Sequence, residues 1–145
     1  MGSLIDAAWP YAVMVVSAFV SATLLPLASE AVLAVELSRG HGSTVGLVSA
    51  ATIGNVAGST LNWWMGRAVH RFTGRRWFPF SADAIARATE RFQRYGTWSL
   101  LLSWLPVIGD PLTLVAGILR VPFGIFLVLV TLGKAARYIV IAWLI

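Results

Sequence analysis

The sequence predicts an all-α integral membrane protein made of one unit written twice. Each copy is a proline-broken apolar element followed by a long transmembrane helix, and a basic amphipathic helix lies between the copies. Three observations predict this. The first is composition: of 145 residues, 58% are hydrophobic and 12% charged, at a mean hydropathy of +0.79, whereas a soluble domain carries about a quarter charged residues. The second is a repeat. Leu25–Val35 aligns without a gap on Leu105–Val115, proline on proline and carboxylate on carboxylate; beyond it Gly54-Asn55 matches Gly133-Lys134 and Trp63 matches Trp143. A duplicated break carrying an acid, inside an apolar chain, is the sequence pointer to a transporter-type site. The third is where the charge sits. Arg67, Arg71, Arg75, Arg76, Arg87, Arg91 and Arg94 all lie in one connecting segment, opposed only by Asp83 and Glu90. That clustering is the positive-inside signature, which makes the segment cytoplasmic and brings it to anionic head groups.

Taken in order, residues 11–25 read as a helix running into Pro26, and Ala31–Leu37 as a short helix leaving it. The proline removes a backbone donor and pushes the residue before it out of the helical region. The apolar run Ala7–Ala28 is long enough to cross a membrane. Asp6 precedes it with no basic residue, so the run is expected to stay in the mature protein. Thr44–Gly66 is a span with Gly46, Ala50, Gly54, Gly58, Asn62 and Gly66 at four-residue spacing, a groove for close helix contact. Asn55 and Asn62, seven apart, project from nearly one face of it as interhelical donors. Trp77-Phe78-Pro79-Phe80 then leads to a helix over Ala82–Tyr95, capped by Ser81 and ended by Gly96. Ile85, Ala88, Phe92 and Tyr95 share one face of that helix and Arg87, Arg91 and Arg94 the other, so it is expected on the membrane surface. Thr97–Leu105 gives only nine residues before Pro106, about 13 Å of α-helix, too short to cross. With Gly109 and Pro111 following, and Leu112–Leu119 before Arg120, the pattern predicts a re-entrant hairpin whose break faces the interior. Pro122–Ile145 is the last helix. The whole reads as a single membrane domain, 1–145, with repeat one at 11–66, the cytoplasmic basic segment at 67–96 and repeat two at 97–145.

Four ionisable residues occupy apolar stretches. Lys134 and Arg137 fall where hydrocarbon is expected, at a cost of ~2.5–3.5 kcal/mol each, so they are expected to turn inward, snorkel or pair. Their natural partners are Glu30 and Asp110. Each acid stands four residues after a break proline and opens a helix, so an N-cap role worth ~0.5–2 kcal/mol is the plain structural account. That account leaves two acids and two cations in so short an apolar chain unexplained. Acids that protonate when desolvated suit proton coupling, and Lys or Arg in a membrane cavity suits a phosphate. Freeing the cation by protonating its acid links proton uptake to anion binding. Glu30, Asp110, Lys134, Arg137, Asn55 and Asn62 are therefore the candidate proton-coupling or substrate-binding residues, with Pro26, Pro106, Gly109 and Pro111 as the breaks. The chain has no cysteine, which excludes disulfides, thiolate metal sites and Cys nucleophiles. His41 and His70 are too few and too far apart for a metal site. No metal, cofactor or catalytic residue is expected, and no phosphatase motif is present.

The segments SATLLPLASEAVL, GNVAGSTLNWWMGR, RYGTWSLLLSWLPVIGDPLTLVAGILR and GKAARY resemble the DedA superfamily of membrane proteins, also called SNARE-associated or VTT-domain proteins. They are most similar to its short bacterial YqaA-type branch, over residues 17–142. The resemblance implies two opposed re-entrant hairpins related as inverted repeats, a multi-pass bacterial inner-membrane location, and a role in lipid-carrier or phospholipid translocation and envelope homeostasis. Larger members carry arginines in the second hairpin, in a pattern like F-x-R-x-x-P-x-x-R. Here Ser103 and Gly109 stand at those positions, so that arginine role does not carry over, and Lys134, Arg137 or the flanking Arg120 is left to meet a phosphate. The function expected is a small transporter or scramblase of a lipid phosphate or phospholipid, with proton coupling. The alternative is a non-catalytic membrane-assembly or chaperone-like protein whose charges are structural. Membrane lipids, protons and a second copy of the chain are the partners considered; nucleic acid is not.

Overall fold

The computed structural model of the protein describes residues 2–23, 28–68, 82–105 and 109–144, and within them every regular element is helical. In chain order these are α1 (Gly2–Thr23), α2 (Ala28–Ser38), α3 (Thr44–Arg67), α4 (Ala82–Tyr95), a 3₁₀ helix (Gly96–Trp104), α5 (Gly109–Ile118) and α6 (Phe123–Leu144). Pro26 and Pro106, the Trp77-Phe78-Pro79-Phe80 run, the Ser81 cap, and Arg71, Arg75 and Arg76 lie outside the described residues. Three of the described helices, α1 over Gly2–Ala22, α3 and α6, are long and apolar enough to cross a membrane. The 24 residues of α3 rise about 36 Å, more than the ~30 Å hydrocarbon core. The first helix starts at Gly2 rather than at residue 11 and carries Pro10 in its interior, a placement that membrane helices tolerate.

The helices gather into two compact units, Met1–Gly58 with Lys134–Ile145, and Ser59–Gly133. In the first, α1 packs on α2, and Met14, Ala18, Leu33, Leu47, Ala50, Ala51 and Tyr138 form the core. The glycine spacing of α3 has a direct structural use here. A Cβ on Gly54 would run into the Val15 carbonyl oxygen, and one on Gly58 would meet the Phe19 carbonyl oxygen at 2.8 Å. Without side chains at these positions, α3 approaches α1 backbone to backbone.

In the second unit α4 packs on α5 and on the 3₁₀ helix. Ala88 and Phe92 are buried there, while Arg87, Arg91 and Arg94 stay exposed. The part of the apolar face read as membrane-facing that Ala88 and Phe92 form is therefore covered by protein. Residues 111–117 of α5 are buried all round, as a helix apolar on every side should be. Gly66 and Gly117 repeat the backbone approach, each facing a carbonyl of the other's helix, those of Leu114 and Trp63. The short segment before Pro106 is 3₁₀ rather than α, with a rise of about 2 Å per residue and side chains eclipsed at i and i+3. That threefold period puts Leu100 and Ser103, both 0% exposed, on one column and Trp98 and Trp104, 69% and 42% exposed, on another. At the end of α5, Val121 N–H donates to the Ala116 carbonyl at 2.9 Å and Arg120 N–H to that of Gly117 at 3.1 Å. This is a Schellman cap, and its left-handed position, usually glycine, holds Arg120 at φ +58°.

Candidate functional site

In the first unit four helices converge on one polar cluster. Glu30 lies in the first turn of α2, where the helix N-terminus favours a carboxylate. On α6 the Arg137 guanidinium pairs with it, Nη2 on Oε1, the two side chains being 9% and 19% exposed. The next residue, Tyr138, is fully buried. Its hydroxyl accepts from Asn55 Nδ2 at 2.7 Å and shares a hydrogen bond with Ser29 Oγ at 2.7 Å. Ser29 Oγ in turn donates to Ser21 Oγ of α1 at 3.3 Å. The guanidinium also lies 5.7 Å from the Tyr138 ring centroid. Lys134, one turn before Tyr138, is fully buried and partnered. Asn55 Oδ1 is buried and has no hydrogen-bond partner among the described residues.

The second unit holds a smaller polar chain. Asn62 Nδ2 donates to Thr113 Oγ1 at 3.2 Å, and Thr113 Oγ1 donates to the Asp110 carbonyl at 2.6 Å. Asp110 is the second residue of α5 and is partnered. Ser59 and Ser103 carry buried hydroxyls with no hydrogen-bond partner among the described residues. Gly109 faces the Ser103 carbonyl so closely that a Cβ would run into it. An arginine at 109 has no room on this backbone.

Of the six residues singled out from sequence, Glu30, Asn55, Lys134 and Arg137 fall in the first unit, and Asn62 and Asp110 in the second. Asn55 and Asn62 share a helix face by spacing, yet each serves a different unit, because the division of α3 falls at Gly58. Sequence reading paired cations with acids in general terms; the structure pairs Arg137 with Glu30. It missed Tyr138, Ser29 and Thr113, the hydroxyls that join charge to amide. Tyr138 had a signal: a tyrosine inside an apolar helix, next to a cation, needs a partner for its hydroxyl. Among the described residues no three His, Cys, Asp or Glu side chains come together to hold a metal.

Apolar helices of spanning length around a partly buried acid–base pair define an integral membrane protein. The VTT domain family model matches residues 9–145, and the chain belongs to that family, also called DedA. It is 42% identical over 126 residues to inner membrane protein YqaA of Escherichia coli (strain K12), covering 87% of this chain and 84% of that protein. The inner membrane protein YqaA of Shigella flexneri gives the same figures. An uncharacterized protein of Haemophilus influenzae is 37% identical over 138 residues, covering 90% of this chain and 84% of the relative. No solved structure matches the chain. The apolar helices and the family together make this a bacterial inner-membrane protein.

Proposed function

We propose that the protein moves a phosphate-bearing lipid, either a lipid-carrier phosphate or a phospholipid, across the inner membrane, with proton uptake at Glu30 coupled to phosphate binding at Arg137. The observation that carries this is the Glu30–Arg137 pair, set on helices of an apolar chain and backed by Tyr138, Asn55 and Ser29. An intramembrane pair of this kind is expensive and marks a substrate or ion path by default. Protonating Glu30 removes the partner of Arg137, and the freed guanidinium, a fork that fits phosphate oxygens, favours an incoming anion. Lys134 is a second cation for the same anion, and Asp110 with Asn62 is the second repeat's counterpart.

Two patterns support the inverted-repeat, hairpin architecture on which this reading draws. Two of the three long helices are divided between the units, α3 at Gly58 and α6 at Gly133, close to the Gly54 and Gly133 positions that the sequence repeat matches. Within the second unit both ends of 96–121 come to one end. Trp63, beneath the Arg67 guanidinium at 5.0 Å, donates Nε1–H to the Val121 carbonyl at 3.1 Å, and Thr97 and Trp98 line a groove with Gly124. A segment that enters and returns on one side behaves as a re-entrant hairpin.

The second reading, a membrane-assembly protein with structural charges, is favoured by the direct closure of the pair. Reconstituted liposomes carrying labelled phospholipid or lipid phosphate, assayed with and without a pH gradient, separate the two. Transport requires protein-dependent translocation that responds to the gradient; translocation at the protein-free rate rules it out.

A further inference from the structure

The second unit carries an apolar groove whose two walls each follow an exposed arginine in the chain. Thr97, Trp98, Gly124, Ile125, Val128 and Leu129 enclose about 640 Å³ between the 3₁₀ helix and α6, within the size range of small-molecule sites. The two walls run the same way, because Gly124 lies beside Thr97 and Trp98 while Gly133, further along α6, lies against the Leu101 carbonyl. Both therefore start at one end, and there the chain places cations. Arg94 lies in the last turn of α4, its guanidinium 5.5 Å from the Tyr95 ring centroid, and Arg120 precedes α6 by a few residues; both are exposed. Arg120 is held in the left-handed region, a conformation that is strained for a residue with a side chain. Glycine would make the same cap without that strain. The groove runs along α6, a helix of membrane-spanning length, with apolar residues at Ile125, Val128 and Leu129.

We propose that this groove is a binding site for an anionic phospholipid, its phosphate held by Arg120 and Arg94 and one acyl chain lying along Trp98, Ile125 and Val128. Charge complementarity selects the occupant: two guanidinium groups at the mouth and an apolar trough behind them match a negative head with a hydrocarbon tail. A neutral lipid leaves the arginines unanswered, and a free phosphate leaves the trough empty. The site rests on the membrane reading of α6 and not on the transport reading of Glu30 and Arg137.

The test is native mass spectrometry of the purified full chain in detergent doped with equal phosphatidylglycerol and phosphatidylcholine. The parent is expected to retain phosphatidylglycerol about fivefold or more over phosphatidylcholine, the factor expected for one basic residue at an anionic surface. Arg120→Gly, which keeps the cap and relieves its strain, lowers the ratio, and Arg94→Gln added to it brings the ratio close to parity. Val128→Trp, which fills the trough and leaves the arginines, lowers retention of both lipids, whereas Leu132→Trp, exposed on the same helix but outside the groove, leaves it unchanged. Should Val128→Trp misfold, Gly124→Leu reads the same trough, since a side chain there begins in open space. Equal retention of both lipids by the parent overturns the proposal, as does unchanged retention in both Arg120→Gly and the trough variant. Displacement of phosphatidylglycerol by millimolar inorganic phosphate, or disulfide-linked dimers of Val128→Cys, overturns it too, the first in favour of a head-group contact alone and the second in favour of a second copy.

Discussion

Arg137 of α6 pairs directly with Glu30 in the first turn of α2, and the residue that follows it, Tyr138, receives Asn55 and Ser29 through one hydroxyl. Two successive residues of one helix thus fasten it to α2 and α3 in the interior of the first unit. Breaking the pair from one side leaves an uncompensated charge. Glu30→Gln or Arg137→Ala is expected to lower stability by ~3–5 kcal/mol, read as denaturant or thermal unfolding in detergent. Replacing both partners with leucine should cost clearly less than either single change, because no charge is then left behind. A double-variant loss equal to the sum of the two single losses would show that the pair is not coupled.

Tyr138→Phe tests the hydroxyl alone. It removes the acceptor of Asn55 Nδ2 and the partner of Ser29 Oγ at unchanged ring volume, for an expected loss of ~1–3 kcal/mol. Asn55→Leu added to it should recover part of that loss by removing the stranded amide. A Phe variant as stable as the parent would mean that these bonds contribute nothing net.

The glycines separate into two classes by what lies beside them. Gly54→Ala and Gly66→Ala put a methyl group into a carbonyl oxygen of the neighbouring helix and should destabilise by ~1–3 kcal/mol. Gly124→Ala meets nothing within 4 Å and should be neutral or stabilising by up to ~1 kcal/mol. The unfolding midpoints of the three variants check the ordering, and a destabilised Gly124→Ala would contradict it.

Most of the helical layout is legible in the sequence, and the exceptions have physical causes. Thr44–Gly66 and Pro122–Ile145 match α3 and α6 to within a residue or so, because twenty or more apolar residues with a single period admit one reading. The α-helical rise does not apply to the segment before Pro106, where Thr97, Leu100 and Ser103 against Trp98, Leu101 and Trp104 carry a period of three. The apolar face of Ala88 and Phe92 is legible, but not what covers it, since an apolar stripe has the same spacing whether it meets lipid or α5. At the site, charges in apolar stretches stand out by their cost, and Glu30 with Arg137 followed. Tyr138, Ser29 and Thr113 did not, since a hydroxyl among apolar residues is cheap and its partner is fixed only by the fold.

Topology follows from the basic segment and from the end of the second unit at which Arg120 lies. Single cysteines at Gly40, Ala82 and Arg120 should divide under an impermeant thiol reagent, Gly40→Cys labelling from the outside and the other two only from the cytoplasmic face. Arg120 is the useful probe because Val121 beside it is buried. Outside labelling of Ala82→Cys contradicts the orientation. Outside labelling of Arg120→Cys alone contradicts the hairpin and makes 97–119 a broken span.

A proton-gated phosphate site and a structural brace respond differently when the Glu30–Arg137 pair is changed one partner at a time and then reversed. The decisive experiment is labelled-lipid translocation in liposomes by the parent, by Glu30→Gln, by Arg137→Ala and by the reversed pair Glu30→Arg with Arg137→Glu, each first shown to fold. A proton-gated site requires that Glu30→Gln still moves lipid but no longer responds to pH, that Arg137→Ala is slow at every pH, and that the reversed pair folds yet does not transport. Restored translocation in the reversed pair, or an unchanged pH response in Glu30→Gln, rules out the gate and leaves the pair a structural clasp.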